Sequence, residues 1–287
     1  MDLIINFAPN GMIPTKAMTP FVPVSVAEIV EDVHRAVEIG ITMVHLHARD
    51  EVTGKPTYKA DLYAKIIAGI RAFAPDLVIC VSLSGRTFTE FAQRADPLRL
   101  DGGVKPDLGS LTLSSLNFVR DASVNSPEMI LALAQEMNSR GIMPELEAFD
   151  TGMINYAKYL TTKGVVWAPY YFNLLLGNVA GAQPDLLHVG MMIRDLPDGA
   201  LWSLAGLGDA QLMMNSTGIA SGGGVRVGLE DNIWFDRART RLASNADLLG
   251  RVHALAQAHE RQVMSPARLR ELLQLQPGNG AYGRPGR

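Results

Sequence analysis

Short apolar runs alternate with longer stretches of helical periodicity along this chain, and the alternation repeats eight times. No other feature of the sequence constrains the fold as strongly. A buried strand followed by an amphipathic helix, repeated, builds a parallel sheet covered by helices. Strands are expected at residues 3–8, 41–47, 77–82, 108–113, 143–149, 170–176, 200–205 and 225–229. The helices carry their own punctuation. Ser25 is followed three residues later by Glu28, a capping box, and Val26, Ile29, Val30, Val33 and Val37 then keep helical spacing until Gly40 stops it. Ser126-Pro127-Glu128 opens a helix that Gly141 ends. Further helices are expected at 61–74, 88–98, 151–163, within 185–196, at 209–220 and 243–261, and in a short piece after Ser265-Pro266. Eight such units in about 260 residues describe an α/β chain folded as a single-domain (β/α)8 TIM barrel, residues 1–275, with a low-complexity tail over 276–287. The rival, an open doubly wound sheet, usually has a glycine-rich phosphate turn after its first strand, and Pro9-Asn10-Gly11-Met12-Ile13 lacks that spacing.

The chemistry starts at Val44-His45-Leu46-His47-Ala48-Arg49-Asp50, where the second strand ends. Strand side chains alternate faces, so His45 and His47 share a face about 7 Å apart. They can converge on one metal ion or be satisfied by neighbours, and the pair alone fits both. Far downstream, Gly224-Val225-Arg226-Val227-Gly228-Leu229-Glu230-Asp231-Asn232 ends another strand in two carboxylates. One of them as a third ligand would give two histidines and a carboxylate with a position left open for substrate, the catalytic pattern.

In a barrel, polar residues at the carboxyl ends of strands face the active site. Asn10, His45, His47, Ser82, Gly85, Ser110, Thr112, Glu147, Arg226, Glu230 and Asp231 collect there. Gly228 leaves room for a ligand to approach the backbone. A buried Arg226 requires a carboxylate, which Asp231 or Glu147 can supply. Glu145 and Glu147 fit a structural ion pair as well as a catalytic role, and Ser82 and Ser110 also fit as small residues filling a tapered barrel. Cys80 reads as a buried structural thiol. His34, His253 and His259 fall on helix surfaces, and His188 has no partner at metal spacing. A net charge of −3 without a basic run speaks against nucleic acid. One cysteine allows no internal disulfide, which suits a reducing cytoplasm. The N-terminus has no signal-peptide core, and no apolar run reaches the ~20 residues of a membrane span. None of the lysines lies at a strand's carboxyl end, which argues against a Schiff-base aldolase.

Four stretches together resemble a known family, the β-keto acid cleavage enzymes. They are Val44-His-Leu-His-Ala-Arg-Asp50, Pro144-Glu-Leu-Glu-Ala-Phe-Asp150, Gly152-Met-Ile-Asn-Tyr156 and Val225-Arg-Val-Gly-Leu-Glu-Asp-Asn232, and the similarity runs from Asn6 to about residue 273. The resemblance implies a zinc-dependent barrel, a homo-oligomer (dimer or tetramer), that condenses a β-keto acid with acetyl-CoA and cleaves the adduct to acetoacetate and a new acyl-CoA. It carries over His45, His47 and Glu230 as zinc ligands. Arg226 with Asp231, aided by Ser82 and Glu147, would be the acid–base machinery. Gly85 and Ser110, with Asn10 and Ile13 from the first loop, would hold substrate. The founding activity is cleavage of 3-keto-5-aminohexanoate, and that enzyme has a first-loop glutamate that can hold the substrate ammonium. The position here is Ile13. An apolar side chain leaves a buried ammonium unpaired and favours an alkyl chain by about 0.8 kcal/mol per buried CH₂. An uncharged short-to-medium β-keto acid is therefore the first expectation, and a dicarboxylic one, reached by Lys16 or Arg86, the second. Two other readings compete. One is a metal-dependent amidohydrolase, whose barrel normally adds histidines from its fifth and sixth strands. The other is a non-catalytic binding protein on a barrel scaffold.

Overall fold

A computed structural model describes residues 2–285. In chain order its strands are β1 (Ile5–Phe7), β2 (Met43–Leu46), β3 (Val78–Val81), β4 (Leu108–Thr112), the short pair β5 (Leu116–Asn117) and β6 (Ala122–Ser123), then β7 (Met143–Ala148), β8 (Tyr171–Leu176), β9 (Leu201–Gly206) and β10 (Gly224–Val227). The helices are α1 (Val26–Ile39), α2 (Ala60–Phe73), α3 (Phe91–Arg94), α4 (Pro127–Ser139), α5 (Thr151–Thr162), α6 (Leu186–Asp195), α7 (Gln211–Ala220), α8 (Asn245–Ala258) and α9 (Pro266–Leu272). Eight strands close a barrel in the order β1-β10-β9-β8-β7-β4-β3-β2, with β1 pairing in parallel to both β10 and β2. This is the single-domain (β/α)8 barrel expected from the alternation. Among the described residues no helix is long and apolar enough to cross a membrane.

Strand alternation divides the side chains between two environments. One set faces out under the helices: Ile5, Phe7, Val44, Leu46, Ile79, Val81, Leu146, Phe172, Leu174, Val225 and Val227 pack with Ile29, Val33, Ile66, Ile70 and Leu133. The other set fills the barrel in layers. Ile4, Met43, Val78, Leu108, Met143 and Leu201 form an apolar floor with Leu269 of α9 and Leu273 at its C-terminal cap. Above them lies a polar layer of Asn6, His45, Cys80, Glu145, Tyr171, Asn173 and Ser203, all at most 1% exposed. Buried polar groups require partners, and these supply one another. Asn6 and Asn173 each donate an amide N–H to Glu145 Oε1, at 2.8 and 2.7 Å, and the Tyr171 hydroxyl donates to Ser203 Oγ at 2.8 Å.

Three expectations change. The 88–98 helix is only α3 followed by a 3₁₀ turn, Asp96–Arg99, because Pro97 has no N–H to continue an α-helix. The last barrel strand stops at Val227, since Gly228 turns out at φ +152, where a Cβ would lie 2.0 Å from the Ala8 carbonyl oxygen. The stretch between the fourth strand and Ser126 carries no periodicity, yet it forms the hairpin β5–β6.

The stretch from Gln276 to Pro285 lies against the barrel floor, and the end of the expected tail, residues 286–287, lies outside the described residues. Asp107, fully buried, accepts from Arg270 Nη2 (2.8 Å), Arg71 Nη2 (2.8 Å) and Gly283 N (3.0 Å). The Arg71 guanidinium also sits 3.7 Å over the Tyr282 ring. Burial pushes the Asp107 carboxyl up, but the two arginines more than offset this and hold it below its ordinary value. A depressed carboxylate stabilises the fold above its unfolded pKa, near 3.9, and loses that contribution as pH falls through the folded value. Asp107→Asn should therefore cost about 3–5 kcal/mol at pH 7, by leaving two buried guanidiniums without their anion. The gap to wild type should narrow below pH 4, as read by denaturant unfolding.

Candidate active site

A cavity of about 280 Å³ opens at the carboxyl ends of the barrel strands. His45, His47, Ser82, Thr112, Glu147, Arg226, Glu230 and Asp231 line it, with Met12, Ile13, Phe118, Phe149, Leu175 and Leu207 as its apolar wall. The structure thus brings together the expected metal ligands, the expected acid–base residues and Ile13. Asn10, Gly85 and Ser110 do not line it. Asn10 Nδ2 donates to the carbonyls of Pro23 (3.2 Å) and His47 (3.0 Å), and Ser110 Oγ accepts from Leu83 N at 3.0 Å. Gly85 is needed for close approach, because a Cβ there would stand 2.4 Å from the Val124 carbonyl oxygen.

At the cavity base His45 Nδ1 lies 2.6 Å from Glu145 Oε2. A ring nitrogen fixed this way leaves Nε2 to present a lone pair. Burial alone pushes His45 down, but the Glu145 and Glu230 carboxylates together outweigh it and the net direction is up. For His47 burial wins over Glu230, and the net direction is down. His47 Nε2 is 3.0 Å from Glu230 Oε1. One ligand atom from each of His45, His47 and Glu230 falls within 4.8 Å of the others. Glu230 approaches so closely that Gly11, at φ +57, could not carry a Cβ, which would sit 2.3 Å from Glu230 Cγ.

Arg226, 2% exposed, holds the carboxylates of the site. It grips Asp231 with two bonds, Nε to Oδ2 at 3.0 Å and Nη2 to Oδ1 at 3.3 Å, and Nη2 also reaches Glu230 Oε1 at 2.7 Å. Of the two partners foreseen for this arginine, Asp231 is the bonded one. Glu147 lies 3.7 Å from Nη1 and accepts from the Thr112 hydroxyl at 2.7 Å. Burial pushes Glu230 up, but Arg226 and the two histidines more than reverse it and hold the carboxyl well below the usual range. For Asp231 and Glu147 burial prevails, and both are raised. A raised carboxylate is the better proton acceptor.

Two buried polar atoms of this cluster have no hydrogen-bond partner, Glu230 Oε2 and Arg226 Nη1. Unpaired buried polar atoms are costly and mark places completed by a ligand. Arg226 Nη1 is a donor and faces Glu147, but Glu230 Oε2 is a free acceptor, and with two imidazoles, one oriented by a carboxylate, it makes the trio His45, His47 and Glu230 fit a divalent metal.

The positions of two residues beside the site carry more than their sequence pattern conveys. Glu145, placed between a structural and a catalytic role, is the residue that orients His45 and also accepts from Cys80 Sγ at 3.2 Å. Its parity with Glu147 was the available signal. Arg49, inside the histidine motif, donates to backbone carbonyls only: Gly11 (2.8 Å), Pro14 (2.9 Å), Asn10 (3.3 Å) and Gly54 (3.0 Å). It pins the first loop, and with it Met12 and Ile13, over the cavity. Lys16, expected as a possible contact to substrate, instead pairs with Glu28 at 2.7 Å and is absent from the lining.

A barrel with a metal-competent trio beside an arginine-clamped pair of carboxylates is equipped for acid–base chemistry at its strand ends. Comparison with known proteins narrows the class. The family model described as beta-keto acid cleavage enzyme matches residues 2–275. The 3-oxoadipate:acetyl-CoA acetyltransferase of Cupriavidus necator is 36% identical over 95% of this chain and 94% of its own length. The 3-keto-5-aminohexanoate cleavage enzyme of Fusobacterium nucleatum is 34% identical over 95% of this chain and 98% of its own. Among solved structures, ObcA in ternary complex with a C4-CoA adduct and oxalate superposes with a TM-score of 0.80 at 20% identity, covering 91% of this chain and 68% of that one, a likeness of fold. The chain belongs to the beta-keto acid cleavage enzyme family. It is an acyl-transferring, carbon–carbon bond-cleaving enzyme, which sets aside the amidohydrolase and the non-catalytic readings.

If the trio is the metal site, His45→Ala or Glu230→Ala should lose bound divalent metal and activity together while circular dichroism stays that of the wild type. Three ligands are the minimum set, so loss of one weakens binding strongly. Full metal occupancy in either variant, by elemental analysis, would remove that residue from the site.

Proposed function

We propose that this enzyme condenses a β-keto acid with acetyl-CoA and cleaves the adduct to acetoacetate and a new acyl-CoA, using zinc held by His45, His47 and Glu230. The observation that carries the reading is the Arg226–Asp231 pair standing against that trio in one cavity. The names of the Cupriavidus and Fusobacterium relatives support both the acetyl-CoA co-substrate and the keto-acid class. Two nitrogen ligands and one carboxylate form a set that zinc takes readily, with a position left for substrate. Zinc bound there supplies a Lewis acid that polarises the 3-keto oxygen and makes the C2 hydrogens more acidic.

Asp231 is the base for C2. Its carboxyl is raised by burial and aimed by the two-point grip of Arg226, so it accepts a proton without turning away. Once C2 has given its proton to Asp231, the C2 electron pair attacks the thioester carbonyl and the CoA thiolate leaves. The thiolate then attacks the C3 ketone, and the C2–C3 bond breaks. The electron pair stays with the acetoacetate fragment, which regains the proton, and the other fragment departs as acyl-CoA. Arg226, whose guanidinium is held charged, offsets the negative charge that develops through these steps. Glu147, fixed by Thr112, stands across Arg226 as a second proton carrier. The apolar wall of Met12, Phe118, Phe149 and Leu175 limits water, which would hydrolyse the thioester or quench the carbanion. Ser82 adds a hydroxyl to the same lining, beside Ser84, Thr112 and Ser123.

Ile13 lies in that lining, so the first loop offers a substrate ammonium no carboxylate at this point. The amino substrate of the Fusobacterium relative is therefore disfavoured here.

Proton abstraction can be followed without acetyl-CoA, as deuterium exchange at C2 of a β-keto acid in heavy water. The wild type should accelerate exchange, and Asp231→Asn should slow it on the order of 10²–10⁴-fold with zinc content unchanged. Near-normal exchange in the variant would move the base to Glu147. No catalysed exchange by zinc-loaded wild type would contradict the reading.

A further inference from the structure

Besides Arg226 and the two histidines, Arg86 is the one basic side chain among the described residues that line the cavity. Arg226 is engaged by Asp231 and Glu230. Arg86 is held in a different way. Its guanidinium lies 3.9 Å over the Phe118 ring, and Phe118 in turn meets Phe149 edge-on at 5.9 Å. Its Nε donates to Asp121 Oδ1 at 2.7 Å. Phe118 and Asp121 both belong to the turn between β5 and β6, which closes through Phe118 N to the Asp121 carbonyl at 2.8 Å. The hairpin thus grips the guanidinium on one face and on its Nε edge. Among the described residues Asp121 is its only carboxylate partner, so the terminal Nη nitrogens have no anion.

Stability does not account for this clamp. The Asp121 side chain is 44% exposed, and an ion pair that open to water is worth about 0–1 kcal/mol. A planar guanidinium fixed in this manner, with its outer edge unengaged, is a preorganised receptor for a carboxylate. The lining that Arg86 shares with Arg226, Glu230 and Asp231 includes Leu116, Phe149 and Leu175, a surface for methylenes. We propose that Arg86 is the subsite for the far carboxylate of a β-keto dicarboxylic acid, so that the keto-acid substrate of this enzyme carries a second negative charge. The inference rests on the reaction assigned above and names the substrate class for it. It reverses the order that Ile13 alone suggests, because Ile13 only removes a partner for an ammonium, whereas Arg86 adds a partner for an anion. The phosphates of CoA are the other source of anionic oxygen, and the same test separates the two.

The test compares 3-oxoadipate with 3-oxohexanoate, equal in chain length and different in the far charge, at saturating acetyl-CoA, for wild type and Arg86→Gln. The wild type should prefer the diacid. Arg86→Gln should lower kcat/KM for the diacid by about 10–100-fold, the range lost with a charge-assisted hydrogen bond, and leave 3-oxohexanoate and the KM for acetyl-CoA within about twofold. An equal loss for both acids, a wild type that prefers 3-oxohexanoate, or a rise confined to the KM for acetyl-CoA would overturn the proposal, the last by making Arg86 a phosphate contact. Calorimetric titration of the zinc-loaded protein with 3-oxoadipate separates this inference from the reaction it rests on. If the wild type turns over neither acid but binds the diacid, and Arg86→Gln abolishes that binding, the subsite stands and the assigned reaction falls. If the wild type does not bind the diacid, the subsite falls.

Discussion

Arg226 is the fixed charge around which the mouth of the barrel is built. Glu145, Glu147, Glu230 and Asp231 are all held in or just above the polar layer, and Arg226 reaches three of them directly. Removing its charge would leave buried carboxylates that protonate or repel one another. Its effect is visible in their divergence. Glu230 is held ionised, while Asp231 and Glu147 are raised, so neighbouring carboxylates at one strand end differ in proton affinity. The carboxylates still outnumber this one permanent cation. The balance falls to the two histidines and to whatever cation they hold, which is the electrostatic reason the trio of His45, His47 and Glu230 suits a divalent metal.

The scaffold makes this arrangement rigid. Strand alternation places His45, Cys80, Glu145, Asn173 and Ser203 inside the barrel at one level, where each can meet a residue from a strand across the interior. Glu145 takes its donors from β1, β2, β3 and β8, so the His45 ring is held by the barrel itself and not by a loop. The loops are fixed by other means. Arg49 ties the first one through backbone carbonyls, and the β5–β6 hairpin fixes Arg86. The cluster around Arg226 thus sits on or just past the ends of barrel strands, while Ile13 and Arg86 sit on pinned loops at the rim of the cavity.

Much of this was legible in the sequence, for identifiable reasons. The eightfold alternation, the capping box at Ser25 and the two strand ends carrying His45, His47 and Glu230 are local patterns, and the structure has them where the patterns lie. What was not legible depends on register across the barrel or on turns too short for a period. The role of Glu145 follows from facing β2, at a separation of 100 residues from His45. The β5–β6 hairpin has two-residue strands, below the length at which alternation can be counted. Asn10 and Ser110 stand at the right strand ends, but their side chains bond to backbone and not to the cavity. Gln276 to Pro285 is glycine-rich and reads as a tail, yet Tyr282 stacks under Arg71 and Gly283 closes on Asp107.

The direction of acyl transfer is the most direct mark of the proposed reaction. Acetyl-CoA labelled with ¹³C at the acetyl carbonyl, incubated with the zinc-loaded enzyme and an unlabelled β-keto acid, should give acetoacetate labelled at C3 and an acyl-CoA without label, both read by mass and carbon resonance. Label appearing in free acetate, or remaining in acetyl-CoA while the keto acid is consumed, would contradict it.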